Sequence, residues 1–434
     1  MKKAIVVGSG AGGATAAREL QGKFEVTILE AGRRFRPFSL SLKTAAKFKK
    51  AGLLFSEKEI PFLFPAMRIQ KTAEKMVLVK GIGTGGTTPL ATGNALRQDH
   101  DLIKLGIHLD REFEELHRDI PVSTAHQKLW RETTRRLFRI CAEIGLDPRP
   151  TPKMGDYERC RSCGRCILGC PHGVKWDSRQ FLEDALAKGA RLNTSCRARR
   201  ISIKNGRAVG VLADTGWRRQ LFAADVIILA AGGLGTPLIL QDSGIACEPG
   251  LFVDPVLCVA AEWPGASQNQ EMPMPFVVQR DGYILSPYFD PLSYFFNRKW
   301  KQPPQNILSL MIKLADASAG SVSKNKVNKV LTAEDNKKLA EAAALCADIL
   351  GRMGIEKEKT FLGTVNAGHP GGMLPLTSAE AATFHSPRLP DNLYIADATL
   401  LPHSLGNPPI LTIMALAKRV SKICAELAAD LPSS

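Results

Sequence analysis

The sequence predicts an α/β protein, a parallel sheet clasped by helices, with a smaller α+β unit beside it and an inserted cysteine-rich loop. Three observations carry this. A short β-branched run at residues 4–7 leads into a glycine cluster and then an alanine-rich helical stretch. A second such run at residues 226–229 opens onto another glycine turn. Four of the ten cysteines fall between residues 160 and 170. The 434 residues suffice for about three ordinary units or two large ones. At 44% apolar and 23% charged, the balance is globular and excludes a disordered, collagenous or coiled-coil chain. No apolar run reaches the ~18 residues of a membrane span. The opening Met1-Lys2-Lys3 and the short run after it lack the length and cleavage segment of an export signal, so the expected setting is cytoplasmic.

The first element is the strand Ala4-Ile5-Val6-Val7. Gly8-Ser9-Gly10-Ala11-Gly12-Gly13 follows, then a helix through Leu20. Gly8, Gly10 and Gly13 fit G-x-G-x-x-G: a tight turn, a close approach for a pyrophosphate, and close packing of helix on strand. The helix N-terminus would face the phosphates with free N–H groups. A second strand, Glu25 to Leu29, ends at Glu30, which lies where an acid should bind ribose hydroxyls. Strand, turn, helix, strand and acid in register predict a Rossmann-type dinucleotide site.

The next stretch is basic. Residues 33–80 hold 12 Lys/Arg against 3 Asp/Glu, a large share of the net charge of +16. Such a face suits an acidic protein or a membrane surface as well as plain solvent. No nucleic-acid motif accompanies it, so nucleic acid is not expected as a partner. Within it, Leu42 to Phe55 is amphipathic and precedes Ile60-Pro61-Phe62-Leu63-Phe64-Pro65. This segment reads as a lid or packed insert, a membrane-surface helix or a partner dock.

Cys160, Cys163, Cys166 and Cys170, followed by Pro171, read C-x2-C-x2-C-x3-C-P, the spacing of a bacterial ferredoxin iron–sulfur run. Thiolates that converge on one cluster need a tightly wrapped loop, which Gly164 and Gly169 permit, and Arg161 and Arg165 can offset their charge. Structural zinc and plain thiols or disulfides remain alternatives, though zinc would want two close pairs with a longer spacer. A cluster would be [4Fe–4S], closed by Cys170 or a remote cysteine, or [3Fe–4S] on three thiolates. His172 beside the run is a weaker candidate ligand.

A helix is expected from Arg179 to Lys188, and strands in the middle of the chain include Gly282 to Ser286. Thr332-Ala333-Glu334-Asp335 opens a helix with Thr332 as N-cap, running to about Met353. Residues 393–396 form a strand ending at Asp397, and an apolar helix begins at Ile410.

Three further segments carry a resemblance. Gly81-Ile82-Gly83-Thr84-Gly85-Gly86-Thr87-Thr88 runs on to Asn94 and Arg97. Residues 225–233 lead to Thr236-Pro237 and Ser243-Gly244. Asn366-Ala367-Gly368-His369-Pro370-Gly371-Gly372 precedes Asp397 and Gly406-Asn407-Pro408-Pro409. With the N-terminal motif they resemble, in order, the glucose–methanol–choline (GMC) oxidoreductases. The resemblance implies FAD, held by Gly8, Gly10, Gly13, Glu30, Gly85, Gly86, Thr87, Asn94, Ala198, Asp397 and Pro408. Some members attach FAD through a histidine after the double glycine; none stands there in this chain, which implies non-covalent FAD. His369 would take the hydroxyl proton of an alcohol and Asn407 would hold the substrate oxygen, with His403 a second candidate. The implied domains are a discontinuous FAD-binding unit (1–247 and 366–434) containing the iron–sulfur loop (155–178), and a substrate unit (248–365).

The function expected is an FAD-dependent dehydrogenase of an alcohol, or a reductase of a carbonyl, using the cluster to exchange electrons with a ferredoxin, a cytochrome or a membrane subunit. The basic 33–80 region would then offer peripheral contact with the inner membrane face. The alternative is a cluster-free oxidase that uses oxygen.

Overall fold

A computed structural model describes residues 1–38, 49, 60–324 and 326–429. A parallel sheet of five strands forms one side, in the order Leu393–Ile395, Val226–Leu229, Lys3–Val7, Glu25–Leu29, Arg191–Asn193. The central strand registers Ala4 to Val7 against Val226 to Leu229 on one edge and Val26 to Leu29 on the other. The apolar β-branched runs suit this position, because a central parallel strand is covered on both faces. Residues 4–7 and 226–229 are all buried. The helix Ala11–Glu19 packs against Ile410–Ala429 and Arg179–Ala187, so the two ends of the chain close one core.

An antiparallel sheet of three strands, Cys196–Lys204, Arg207–Thr215 and Arg218–Ala223, projects beside this core. The other side is a larger sheet centred on Val256–Glu262, Ile307–Leu314, Tyr283–Pro287 and Phe276–Arg280, with antiparallel neighbours. It also takes in Met67–Lys71, Val77–Gly81, Arg149–Pro150 and Asn366–Ala367, so the stretch 248–365 supplies its centre and not its whole width. The helix Ala333–Arg352 covers it, sharing a core with Leu257, Leu310 and Ile312. Thr332 caps that helix: its hydroxyl accepts from the Asp335 N–H at 3.1 Å, and the Asp335 carboxylate accepts from the Thr332 N–H at 2.9 Å.

The amphipathic stretch Leu42 to Phe55 lies, apart from Lys49, outside the described residues. The segment after it is packed: Phe64 is buried with Phe35, Leu90 and Leu168, against the cysteine loop. Among the described residues no helix is long and apolar enough to cross a membrane.

Candidate active site

A cavity of about 600 Å³ opens at the carboxyl ends of the parallel strands. Gly8, Gly10, Glu30, Gly86, Thr87, Ala198, His369 and Asp397 all line it. Gly10 caps the helix Ala11–Glu19 without any side-chain hydrogen bond, which leaves the first helical N–H groups to the cavity. Gly86 has φ 57°, and a Cβ there would meet the Gly10 Cα at 2.8 Å. Two glycine loops from distant parts of the chain thus pack face to face at the helix start. Gly13 lies behind the lining; its Cβ would meet the Gly8 carbonyl oxygen at 2.0 Å.

The Glu30 carboxylate is buried. It accepts from the Ser9 hydroxyl at 2.6 Å and from the N–H groups of Ser9, Gly32 and Gly83 at 3.1, 2.8 and 3.1 Å. Burial raises its pKa, and these bonds partly offset the shift. Asp397 is held similarly, accepting from the Gly232 N–H at 2.8 Å, the Thr236 hydroxyl at 2.5 Å and the Thr399 N–H at 2.9 Å. It therefore caps the helix Gly232–Asp242 at the cavity wall.

His369 keeps about a quarter of its side chain accessible. Its Nδ1 lies 2.7 Å from the Lys313 Nζ and 3.6 Å from Asp254 Oδ2. Lys313 and Asp254 are both fully buried and pair at 2.7 Å. Burial opposes charge on Asp254, but Lys313 and His369 outweigh it and hold the carboxyl at about 2. Burial, with Lys313 beside it, lowers the His369 pKa. Asp254 also accepts from the Ser404 hydroxyl and from the Gly406 N–H at 3.2 Å, which ties the 404–407 turn to the histidine. Asn407 is buried there, its Nδ2 donating to the Leu405 carbonyl at 3.3 Å while its Oδ1 has no partner among the described residues. Neither Asn407 nor Pro408 lines the cavity; Pro409 does. His403 is exposed.

Cys160, Cys163, Cys166 and Cys170 line one small cavity together with Tyr157, His172 and Lys175. Gly164 and Gly169 take φ of 65° and 88°. Among the described residues no group of three or more His, Cys, Asp or Glu is disposed to hold a metal ion. Burial raises the Cys160 thiol and pushes Cys166 to about 12. Two buried lysines flank the loop. Lys175 donates to the carbonyls of Thr88, Pro89, Ala91 and Cys166 at 3.2, 2.7, 2.7 and 3.0 Å. Lys153 donates to the Thr92 and Pro273 carbonyls and to Asn94 Oδ1, at 3.2, 2.6 and 2.5 Å. Asn94 is therefore tied to Lys153, and it does not line the larger cavity. Asp177, whose charge favours the Lys175 ammonium, is already paired with Arg179 at 2.8 Å. Burial pulls both ammoniums below their ordinary value, Lys153 to about 7.

The sequence profile described as GMC oxidoreductase matches residues 4–256. The chain belongs to the GMC oxidoreductase family. A protein of Methanocaldococcus jannaschii is 26% identical over 95% of this chain and 97% of its own length. A long-chain-alcohol oxidase of Arabidopsis thaliana is 23% identical over 98% of this chain and 66% of its own. The crystal structure of pyridoxine 4-oxidase from Mesorbium loti superposes with a TM-score of 0.73 at 14% identity, covering 97% of this chain and 99% of that one; this likeness is one of fold.

GMC oxidoreductases bind FAD, and the larger cavity of this one suits that group. The uncapped helix start and the Gly10–Gly86 contact, which leaves no room for a Cβ, are the features that fit. The surroundings of His369 include Lys313 and Asp254, which sequence reasoning missed. A signal was present. Lys313 is the one charged residue of Ile307–Leu314, every residue of which is buried, and a lysine is almost never fully buried without a partner.

Proposed function

We propose that this GMC oxidoreductase oxidises the CH–OH group of an alcohol, with His369 taking the hydroxyl proton, and passes the electrons through an iron–sulfur cluster to a protein acceptor. Bound non-covalently, FAD would supply the hydride acceptor, and the cluster would let its electron pair leave one electron at a time. Gly8, Gly10 and Gly86 with the uncapped helix start would hold the pyrophosphate, Glu30 and Ala198 the adenosine end, and Asp397 the flavin side. Gly13, Gly85, Thr87 and Pro408 would shape the loops around these contacts. Asn407, poised behind the turn, would orient the substrate through its amide.

The observation that carries the relay is the shared wall between the two cavities. The Lys175 ammonium touches Thr88 and Ala91, which line the larger cavity, and the carbonyl of Cys166, which lines the smaller. Lys153 and Lys175 are also two buried amines whose hydrogen bonds, among the described residues, go only to neutral oxygens, so that burial disfavours their charged form. Buried charge of this kind calls for an anion nearby, and a thiolate-held cluster, which is anionic, would supply it. A cube-like cluster seats its thiolates farther apart than a single ion does, which suits cysteines that share a cavity without converging as a mononuclear site. An intracellular setting suits reduced thiolates.

The test is an anaerobic preparation assayed for flavin, iron and acid-labile sulfide, with visible and electron paramagnetic resonance spectra. One FAD with three to four irons per chain (about that ratio for [3Fe–4S] or [4Fe–4S]) is the expected result. FAD without iron after reconstitution would remove the relay and leave a cluster-free oxidase.

A further inference from the structure

The contact between Lys313 and His369 limits what the histidine can do. A separation of 2.7 Å between Nζ and Nδ1 holds one proton, not two, because a hydrogen bond needs one donor and one acceptor. If Lys313 is an ammonium, Nδ1 accepts and the ring proton sits on Nε2. If Nδ1 carries the proton, Lys313 must be an uncharged amine. An imidazolium cannot stand beside a Lys313 ammonium at this distance.

Only the second arrangement leaves a lone pair on Nε2. The described residues supply no hydrogen-bond partner to that nitrogen, so it is the one left for a ligand in the cavity. We propose that Lys313 is a positioning residue that acts through His369, storing the proton that leaves the substrate hydroxyl. The inference rests on the reading of His369 as the proton acceptor. The two transfers balance as follows. The hydroxyl O–H bond breaks and an Nε2–H bond forms; the Nδ1–H bond breaks and an Nζ–H bond forms. No electrons move in either transfer; bound FAD would supply the acceptor for the hydride of the carbon that bears the hydroxyl. The ring ends neutral, and the new ammonium lies 2.7 Å from Asp254.

The surroundings fit a proton store. Asp254, Asp316 and His369 are the charged or titratable groups that face Lys313. Asp316 is itself paired with buried Lys329 at 2.7 Å, so Asp254 is the carboxylate left to answer Lys313. Asp254 has φ 51°, an uncommon conformation for a side chain of this kind. It is held by its own N–H and that of Val253 donating to Asp316, at 2.8 and 3.2 Å. Burial favours the amine form of Lys313, while the two carboxylates favour the ammonium. Both forms are therefore within reach, which a store requires. With Lys313 charged, Nε2–H is a hydrogen-bond donor suited to a carbonyl oxygen. Rising pH thus turns the same site from a carbonyl-side donor into an alcohol-side base.

Nitrogen-15 NMR of histidine-labelled, FAD-loaded protein tests this without a substrate, since ring nitrogens report their protons directly. The chain has eight histidines, and the His369→Ala spectrum identifies the signals. The expected wild-type ring carries its proton on Nε2 near neutrality and shifts to Nδ1–H at higher pH, with no imidazolium near the ordinary histidine value of about 6.5. In Lys313→Met the ring should titrate as an ordinary imidazole near about 6.5. Because that variant leaves Asp254 buried without its cation, Asp254→Asn/Lys313→Met is measured beside it and should titrate likewise. Lys313→Arg, whose guanidinium keeps its proton, should lock Nε2–H at every pH, with FAD content as in wild type. It should also slow anaerobic flavin reduction by dodecan-1-ol or pyridoxine about 100-fold or more, the lower end of what a general base contributes. A wild-type imidazolium near pH 6.5, or a ring unaffected by both Lys313 variants, overturns the inference while leaving His369 as the base. Unchanged flavin reduction in His369→Ala instead overturns the reading beneath it.

Discussion

His126 is fully buried and His369 only partly so, and their partners set the two imidazoles to different tasks. His126 uses both nitrogens: Trp130 Nε1–H donates to Nδ1 at 3.1 Å, and Nε2–H donates to the Thr151 carbonyl at 2.7 Å. Nothing remains for a ligand. Burial depresses its pKa from the ordinary 6.5 to about 4. The folded state therefore prefers the neutral ring, so this contribution to stability is complete above pH 6.5, the unfolded value. It is lost as pH falls through 4. At about 1.4 kcal/mol per unit the loss is about 3 kcal/mol. Denaturant midpoints should drop across that window in wild type and stay flatter in His126→Gln; equal slopes would refute the assignment. His369 keeps Nε2 for the cavity, and its removal should slow alcohol-dependent flavin reduction by about 10²–10⁴-fold, measured anaerobically by stopped flow. The sequence pointed to His369 through its neighbours Gly371 and Gly372 but gave no view of its second nitrogen. That bond comes from Lys313 on a strand 56 residues away, a distance no local pattern spans.

Elements were most legible where local chemistry alone decides them. The Thr332–Asp335 cap places a helix start without knowledge of its neighbours, and the helix runs Ala333–Arg352 with Met353 as C-cap. Thr332→Ala should cost about 1 kcal/mol, seen as a small fall in the thermal midpoint with flavin content unchanged, because the cap lies on the helix that covers the larger sheet. The strand Met67–Lys71 and its partner Val77–Gly81 were not legible, since they join a sheet whose centre lies some 180 residues later. The Gly81–Thr88 loop sits between these regimes. Its glycines are visible in sequence, but the reason for Gly86 is its packing on Gly10. Gly86→Ala adds a Cβ at 2.8 Å from that backbone and strains a left-handed φ that glycine tolerates freely. FAD retained after gel filtration should fall sharply, read from visible absorbance. Wild-type retention would mean that the loop and helix separate at no cost to the cofactor.

At the scale of the whole molecule, two cavities built from different stretches of chain share a wall. The cysteine run and the glycine loop are separate in sequence, and neither contains the group that joins them. Lys175 does, lying five residues after Cys170 and reaching back to Thr88, Pro89 and Ala91. Its bonds go to backbone carbonyls, which carry no residue-type signature, so the junction was invisible to motif reading. The arrangement predicts an asymmetry between two variants. Cys166→Ala removes one wall of the smaller cavity and leaves the Lys175 bonds to the flavin-side loop in place, so iron and sulfide should fall while FAD stays bound. Lys175→Met strips a donor from four buried carbonyls, at a cost of about 1–3 kcal/mol for each acceptor left unsatisfied. Both cofactors should then be lost together, with a lower unfolding midpoint. Flavin absorbance and iron content on the same anaerobic samples separate the cases. If Lys175→Met keeps FAD at wild-type occupancy while iron alone falls, the lysine serves only the cysteine loop and the shared wall is not a coupling element. If both variants lose FAD, the cysteine loop itself supports the flavin side, and the route between the sites runs through backbone packing in place of the buried ammonium.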